Sequence, residues 1–173
     1  MDYLQDIFYG VHFNPIGFGE IFSAVLACLL LIASGFASGS EIAFFSLSPN
    51  DLNELDEEKN KADGYVKRLR NDSERTLATI LITNNLVNVT IIMLCNFFFS
   101  RLLSFDEGAL WLEFVIITIL LTFLLLLFGE IIPKVYCGQH ALAICRIFAP
   151  TISLFSKLFY PLASVLIRSG VLA

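Results

Sequence analysis

Three long apolar runs organise the chain, at about residues 20–47, 76–100 and 110–132. Each meets the roughly 20 mainly apolar residues that a helix needs to cross a bilayer. They predict three transmembrane helices, the third carried on to about residue 136. All three are interrupted: the first by "SGFASGSE", the second by "TNNLVN", the third by "GEIIP". In hydrocarbon every such polar group needs a partner inside the protein.

Between the first two runs lies a charged stretch, 49–75. Ser48 is a good N-cap, Pro49 suits the first helical position, and Asp51 falls in the first turn. This predicts a helical belt at the membrane face, broken at Gly64; a disordered charged loop is the rival reading. The tail, 139–173, is apolar but contains Pro150 and Pro161. Arg146, Lys157 and Arg168 are spaced by eleven, close to three helical turns, and so share one face. That predicts a juxtamembrane interfacial helix whose cations reach the headgroups. A fourth span is the alternative, but a Lys at mid-bilayer costs roughly 2.5–3.5 kcal/mol. The fold class is therefore an all-α membrane protein with three transmembrane helices, a cytoplasmic helical belt and a juxtamembrane amphipathic helix. Its expected parts are an extracytoplasmic segment 1–19, a transmembrane domain 20–138 and the interfacial helix 139–173.

Composition agrees. The chain is 57% hydrophobic and 16% charged, with 17 Phe, against about 45–50% and 25% in soluble domains. The net charge of −5 comes with no basic stripe, so nucleic acid is not an expected partner. Basic residues concentrate in 49–75 (Lys59, Lys61, Lys67, Arg68, Arg70, Arg75) and after the third run, while 1–19 has none. The positive-inside bias places the N-terminus outside and the C-terminus in the cytoplasm. "MDYLQDIFYG" lacks the positive start of a secretory signal, so the first span is expected to be retained. Asp2, Asp6, Glu20, Asp106, Glu107 and Glu113 read as solvated outer surface, with a role in concentrating cations as the alternative. Cys28, Cys95, Cys137 and Cys145 lie in apolar stretches without Cys-x-x-Cys spacing and read as small hydrophobes.

The interruptions carry the chemistry. Ser34 and Ser38 are four apart, as are Gly35 and Gly39, so each pair shares a helix face. Two readings stand for them, close helix packing or cation ligation. Glu41 serves either a site or the headgroup edge. Asn84 and Asn88 share a face, with Asn85 about 100° away; three Asn within five residues exceed what interhelical glue needs. Pro133 has no N–H, which in a regular helix strips the carbonyl of Gly129 of its partner beside the Glu130 carboxylate. Carboxylate, carbonyl, amide and hydroxyl oxygens suit Mg²⁺ or Ca²⁺ rather than soft metals. Broken helices meeting at a midplane cation site are a transporter device. For Glu130 the rival reading is a structural acid, or an ion pair with Lys134 at i+4.

"SGSEIAFFSLSPNDL", "TNNLVN" and "FGEIIPK", in that order and spacing, resemble the transmembrane domain of the cyclin M/CorC family of magnesium transporters, over about residues 20–173. "EIAFFSLSP" also resembles the gliding-motility-associated branch of Bacteroidetes. The resemblance implies a homodimer with three transmembrane helices per subunit, a belt after the first and a juxtamembrane helix after the third. It implies a nearly dehydrated Mg²⁺ between the helices, and export coupled to Na⁺ entry. Ser34, Ser38, Asn84, Asn88 and Glu130 match the family's ion-binding positions. Backbone carbonyls from Gly129 to Tyr136 would complete the shell, with Ser38 and Asn88 favoured as direct ligands. Family members continue into CBS domains that bind ATP; this chain stops at Ala173, so those domains are expected in a longer protein. Thr83-Asn84 stands where the family often has Gly-Asn.

The expected function is divalent cation (Mg²⁺) transport across the bacterial inner (cytoplasmic) membrane by alternating access, with Na⁺ as coupling ion. The alternative is a Mg²⁺-sensing regulator or assembly factor without flux. An intramembrane enzyme is not expected: there is no His-Glu-x-x-His, no paired Asp and no Ser–His spacing. The dimer interface is expected on the small residues of the first span or on "NFFFS" of the second.

Overall fold

Apolar runs of this length become helices because nothing at membrane depth but their own backbone satisfies their N–H and C=O groups. The computed structural model describes residues 11–105 and 110–169. The first run is α1 (Phe18–Phe45), opened by Glu20, whose carboxylate accepts the Gly17 N–H at 2.9 Å. A short α2 (Pro49–Asn53) follows, with a reciprocal cap. Ser48 Oγ accepts the Asp51 N–H at 3.2 Å and Asp51 Oδ2 accepts the Ser48 N–H at 2.8 Å. The belt is completed by α3 (Lys61–Asn71), capped by Asn60 on the Ala62 N–H at 3.0 Å. The expected break at Gly64 is therefore displaced to residues 54–60, and Gly64 lies inside α3. A glycine within a helix costs only about 1 kcal/mol, less decisive than a well-made cap just upstream.

The second run is α4 (Ser73–Leu102). It ends in a two-stranded antiparallel ribbon, β1 (Val11–Phe13) with β2 (Leu103–Phe105), Val11 opposite Phe105. This small ribbon is an addition to the expected helical fold. The third run is α5 (Leu110–Leu124), a π-helical segment Leu125–Ile131, and α6 (Ile132–Gln139). The tail is two helices, α7 (Ala141–Leu158) and α8 (Tyr160–Arg168). Among the described residues, four stretches are long and apolar enough to cross a membrane: Phe18–Phe45, Ser73–Leu102, Glu113–Gln139 and Ala141–Leu158. Asp2, Asp6, Asp106, Glu107 and residues 1–10 of the expected outer segment lie outside the described residues.

Neighbouring side chains give the helix directions. Gly35 sits against Pro133, and Gly39 against Cys137. Four residues along one helix match four along the other, so α1 and the third run are parallel. Residues 33–40 of α1 share one cavity wall with 79–87 of α4, and residues 24–31 share another with 91–99. Those two helices are therefore antiparallel. Phe18, Met93, Phe114 and many other large apolar side chains point outward, as expected where lipid is the solvent. The buried apolar cluster sits at the belt end, where Phe44, Leu47, Leu55, Val66, Leu69, Ile80, Cys145 and Ile152 meet.

One charged pair fastens that cluster. Arg146 of α7 donates to Asp63 of α3 through Nε at 2.7 Å and Nη2 at 3.0 Å. Asp63 is 1% exposed and also accepts the Asp56 N–H at 2.9 Å. The expected single basic face of the tail is thus corrected. Helix α7 stops at Leu158, Pro161 opens α8, and Arg168 belongs to that second helix. A common face needs an unbroken helix, and Arg146 turns inward to a buried acid.

The Arg146 guanidinium holds the Asp63 carboxyl below its ordinary value, against the opposing effect of burial. A lowered folded-state value gives stability that is complete above the unfolded carboxyl range, about pH 4, and lost as pH falls through the folded value. Asp63→Ala is expected to cost about 3 kcal/mol, the low end for breaking a buried pair because Arg146 is partly exposed. Its melting temperature in detergent should then fall less steeply than wild type's below pH 4.

Candidate cation site

The site begins with the small-residue stripe of α1. Ser34, Gly35, Ser38, Gly39 and Ser40 are all buried. Ser40 is satisfied by its own helix, donating to the Phe36 carbonyl at 2.6 Å. Ser34 reaches across to α4 instead: its Oγ stands 2.5 Å from Asn88 Oδ1 and 3.1 Å from Asn84 Oδ1. Asn84 and Asn88 meet one hydroxyl because they are one turn apart; Asn85 is exposed. A hydroxyl has one proton. It can donate to one amide oxygen, leaving the other oxygen facing oxygen, an arrangement that favours a cation. Rotating one amide to present its NH₂ would satisfy the trio without an ion, so the amide orientation is the hinge of the chemistry.

Ser38 adds a second oxygen one turn along. It is fully buried and its Oγ has no hydrogen-bond partner. Unpaired buried hydroxyls cost about 1–3 kcal/mol, and the usual resort of bonding the preceding turn, which Ser40 uses, is not taken here.

The third run closes the site with Gly129. A Cβ there would lie 3.1 Å from Ser34 Oγ and 3.6 Å from Leu31. Around it the backbone is π-helical, and the Ile132 N–H bonds the Leu127 carbonyl five residues back. This corrects the expectation for Pro133. In a five-residue ladder the carbonyl that the proline cannot serve is Phe128's, one residue before Gly129. The Phe128 oxygen looks onto Gly35, 3.2 Å from where a Cβ would stand.

Glu130 sits apart from the serine–asparagine trio in its bonding. Its carboxylate pairs with Lys134 Nζ at 3.4 Å, and the same Nζ lies 3.5 Å from Glu41 Oε2. Tyr136 is exposed, its ring stacks on His140, and its carbonyl lies 3.2 Å from His140 Nδ1. The structure thus joins Ser34, Asn84, Asn88 and Gly129, sets Ser38 beside them on the same face, and directs Glu130 and Tyr136 to other partners. Among the described residues no three His, Cys, Asp or Glu side chains gather to hold a metal; this is a centre of mostly neutral oxygens. The Glu41–Lys134 link across two helices lies beyond what sequence spacing shows. Its only sequence signal is the i+4 spacing of Glu130 and Lys134.

Three apolar helices packed around buried serine hydroxyls and half-buried asparagine amides define an integral membrane domain with a polar centre. The profile of the cyclin M transmembrane N-terminal domain matches residues 25–172, and the chain belongs to that family. It is 34% identical over 149 residues to a UPF0053 protein of Haemophilus influenzae, covering 86% of this chain and 34% of that protein. It is also 34% identical over 158 residues to the metal transporter cnnm-4 of Caenorhabditis elegans, covering 84% and 32%. The UPF0053 inner membrane protein YfjD of Escherichia coli is 31% identical over 107 residues, 62% of this chain and 24% of that protein. The chain spans about a third or less of the length of these relatives.

The close seat of the third run on α1 is testable. A Cβ on Gly39 would collide with Cys137 Sγ and lie 3.3 Å from the Pro133 carbonyl. Overpacking of about 1–3 kcal/mol should exceed the helix gain of about 1 kcal/mol for Gly→Ala. Gly39→Ala is expected to lower the melting temperature, and adding Cys137→Ala to recover part of the loss. Gly19→Ala, with nothing within 4 Å of its Cβ, should not destabilise. Equal stability of Gly39→Ala and Gly19→Ala would contradict this packing.

Proposed function

We propose that this domain binds Mg²⁺ between its helices and moves it across the bacterial inner membrane. The observation that carries the reading is the Ser34–Asn84–Asn88 oxygen trio beside the unpartnered, fully buried Ser38 hydroxyl. Oxygens sharing an octahedral Mg²⁺ at about 2.1 Å stand roughly 3 Å apart, and those around Ca²⁺ stand wider. Ser34 and Asn84 already stand 3.1 Å apart, whereas Ser34 and Asn88, hydrogen-bonded at 2.5 Å, must separate to share the ion. Glu130 is the charged ligand of this reading, released from Lys134 when the ion is held, and carbonyls from Gly129 onward supply further oxygens. A relative's name, metal transporter, supports transport.

Three spans cross the membrane in this reading, the N-terminus outside and the belt in the cytoplasm, with α7 lying across the bundle. Its residues 147–155 line one cavity with 33–40 of α1 and 79–87 of α4, all at the belt end, and its Arg146 is tied to the belt. The protein works as a homodimer. Since Gly35 and Gly39 are already covered by the third run, the Phe-rich end of α4, where Phe97 is exposed, is the better interface. Alternating access, Na⁺-driven export and regulation by CBS domains in the longer protein complete the proposal.

Calorimetric titration of the chain in detergent with MgCl₂ is expected to show saturable binding, weakened at least tenfold by Asn88→Ala and by Glu130→Ala. Liposome flux should then depend on a Na⁺ gradient. No binding by wild type, or full binding by both variants, would sink the site. Binding without flux would turn the transporter into a sensor.

A further inference from the structure

We propose that Lys134 is a tethered cation that competes with the transported metal ion for the Glu130 carboxylate and so holds divalent affinity down. This rests on the proposed Mg²⁺ site and adds a residue that sets its strength.

The geometry differs from that of a structural ion pair, and the chain supplies its own contrast. Arg146 grips Asp63 with two bonds of 2.7 and 3.0 Å, and Asp63 is 1% exposed. Lys134 has one ammonium shared between two carboxylates on different helices, 3.4 Å from Glu130 and 3.5 Å from Glu41. Strong charge-assisted N–H···O bonds are about 2.7–2.9 Å. All three side chains are about a third exposed, 30% for Lys134, 33% for Glu41 and 39% for Glu130. Partly solvated pairs of this kind contribute little to stability, and so are readily exchanged.

The charges lead the same way. Two carboxylates and one ammonium leave a net charge of −1. A divalent ion on Glu130 makes the group +1 while the ammonium stays, and neutral when it moves off. Like charges at this range repel strongly in a partly desolvated setting, so ion and ammonium exclude each other. The backbone of Lys134 is pinned, because its neighbour Pro133 is seated on Gly35 and its carbonyl lies close to Gly39. The four-carbon stem of a lysine is free to swing. A competitor attached this way is always present at high effective concentration. It lowers the affinity of the loaded site and thereby helps the ion leave. By linkage, metal binding must loosen Lys134 to the same degree that Lys134 weakens the metal.

Two measurements on the whole chain in detergent test this. In MgCl₂ titrations at fixed ionic strength, Lys134→Gln is expected to bind about tenfold tighter than wild type, within the usual range of coupled ligands, and Lys134→Arg, which keeps the charge and can grip a carboxylate with two bonds, to bind no tighter than wild type. In wild type, Mg²⁺ should accelerate acylation of Lys134 by an amine-reactive reagent, read by peptide mass spectrometry, with the exposed Lys157 as unchanged reference. Unchanged or weaker binding in Lys134→Gln, while Glu130→Ala still loses binding, would make Lys134 a structural bridge and leave the cation site standing. Lys134 labelling indifferent to Mg²⁺ would overturn the competition even if the variant fails to fold. No binding by wild type or by Lys134→Gln would remove the site and this role together.

Discussion

A helix can give up hydrogen bonds at membrane depth only where another helix covers the gap. Here the gap is the turn around Gly129 to Pro133, and the cover is the face of α1 that carries Ser34, Gly35 and Gly39. Without side chains on Gly35 and Gly39, the proline ring and the Phe128 carbonyl come within van der Waals reach of the α1 backbone. Everything polar at the centre depends on this approach. It brings Gly129 onto Ser34, and it holds Glu130 and Lys134 opposite Glu41.

Stability and chemistry sit side by side in the bundle. The belt end is packed like a soluble protein, with Phe44, Val66, Leu69 and Cys145 buried around the Asp63–Arg146 pair. Along the spans most large apolar side chains face outward, so lipid replaces protein as their surroundings, and helix association there relies on close approach and polar contacts rather than on burial from water.

Local rules were the most legible part of the sequence. The spans follow from runs of about 20 apolar residues, the α2 start from Ser48-Pro49-x-Asp51, and the meeting of Asn84 with Asn88 from helical period alone. What needed a distant partner was not legible. From sequence Arg146 reads as a headgroup cation, because Asp63, its acid, is 83 residues away. A regular helix puts the orphaned carbonyl at Gly129, and sequence does not reveal that the ladder widens to five residues before Pro133. Glu130 illustrates the limit: its i+4 neighbour Lys134 was visible, but the third member, Glu41, depends on how two helices are rotated against each other.

The Asp63–Arg146 pair also imposes a timetable on synthesis. Its acid is made 83 residues before its base, and Leu55, Val66 and Leu69 of the belt-end cluster wait a comparable time for Ile144 and Ile152. At roughly 5–20 residues per second, the nascent belt stands for about 4–17 seconds with its apolar side uncovered. The belt end therefore cannot close until α7 has been made, and during that interval it stands open to chaperones and proteases.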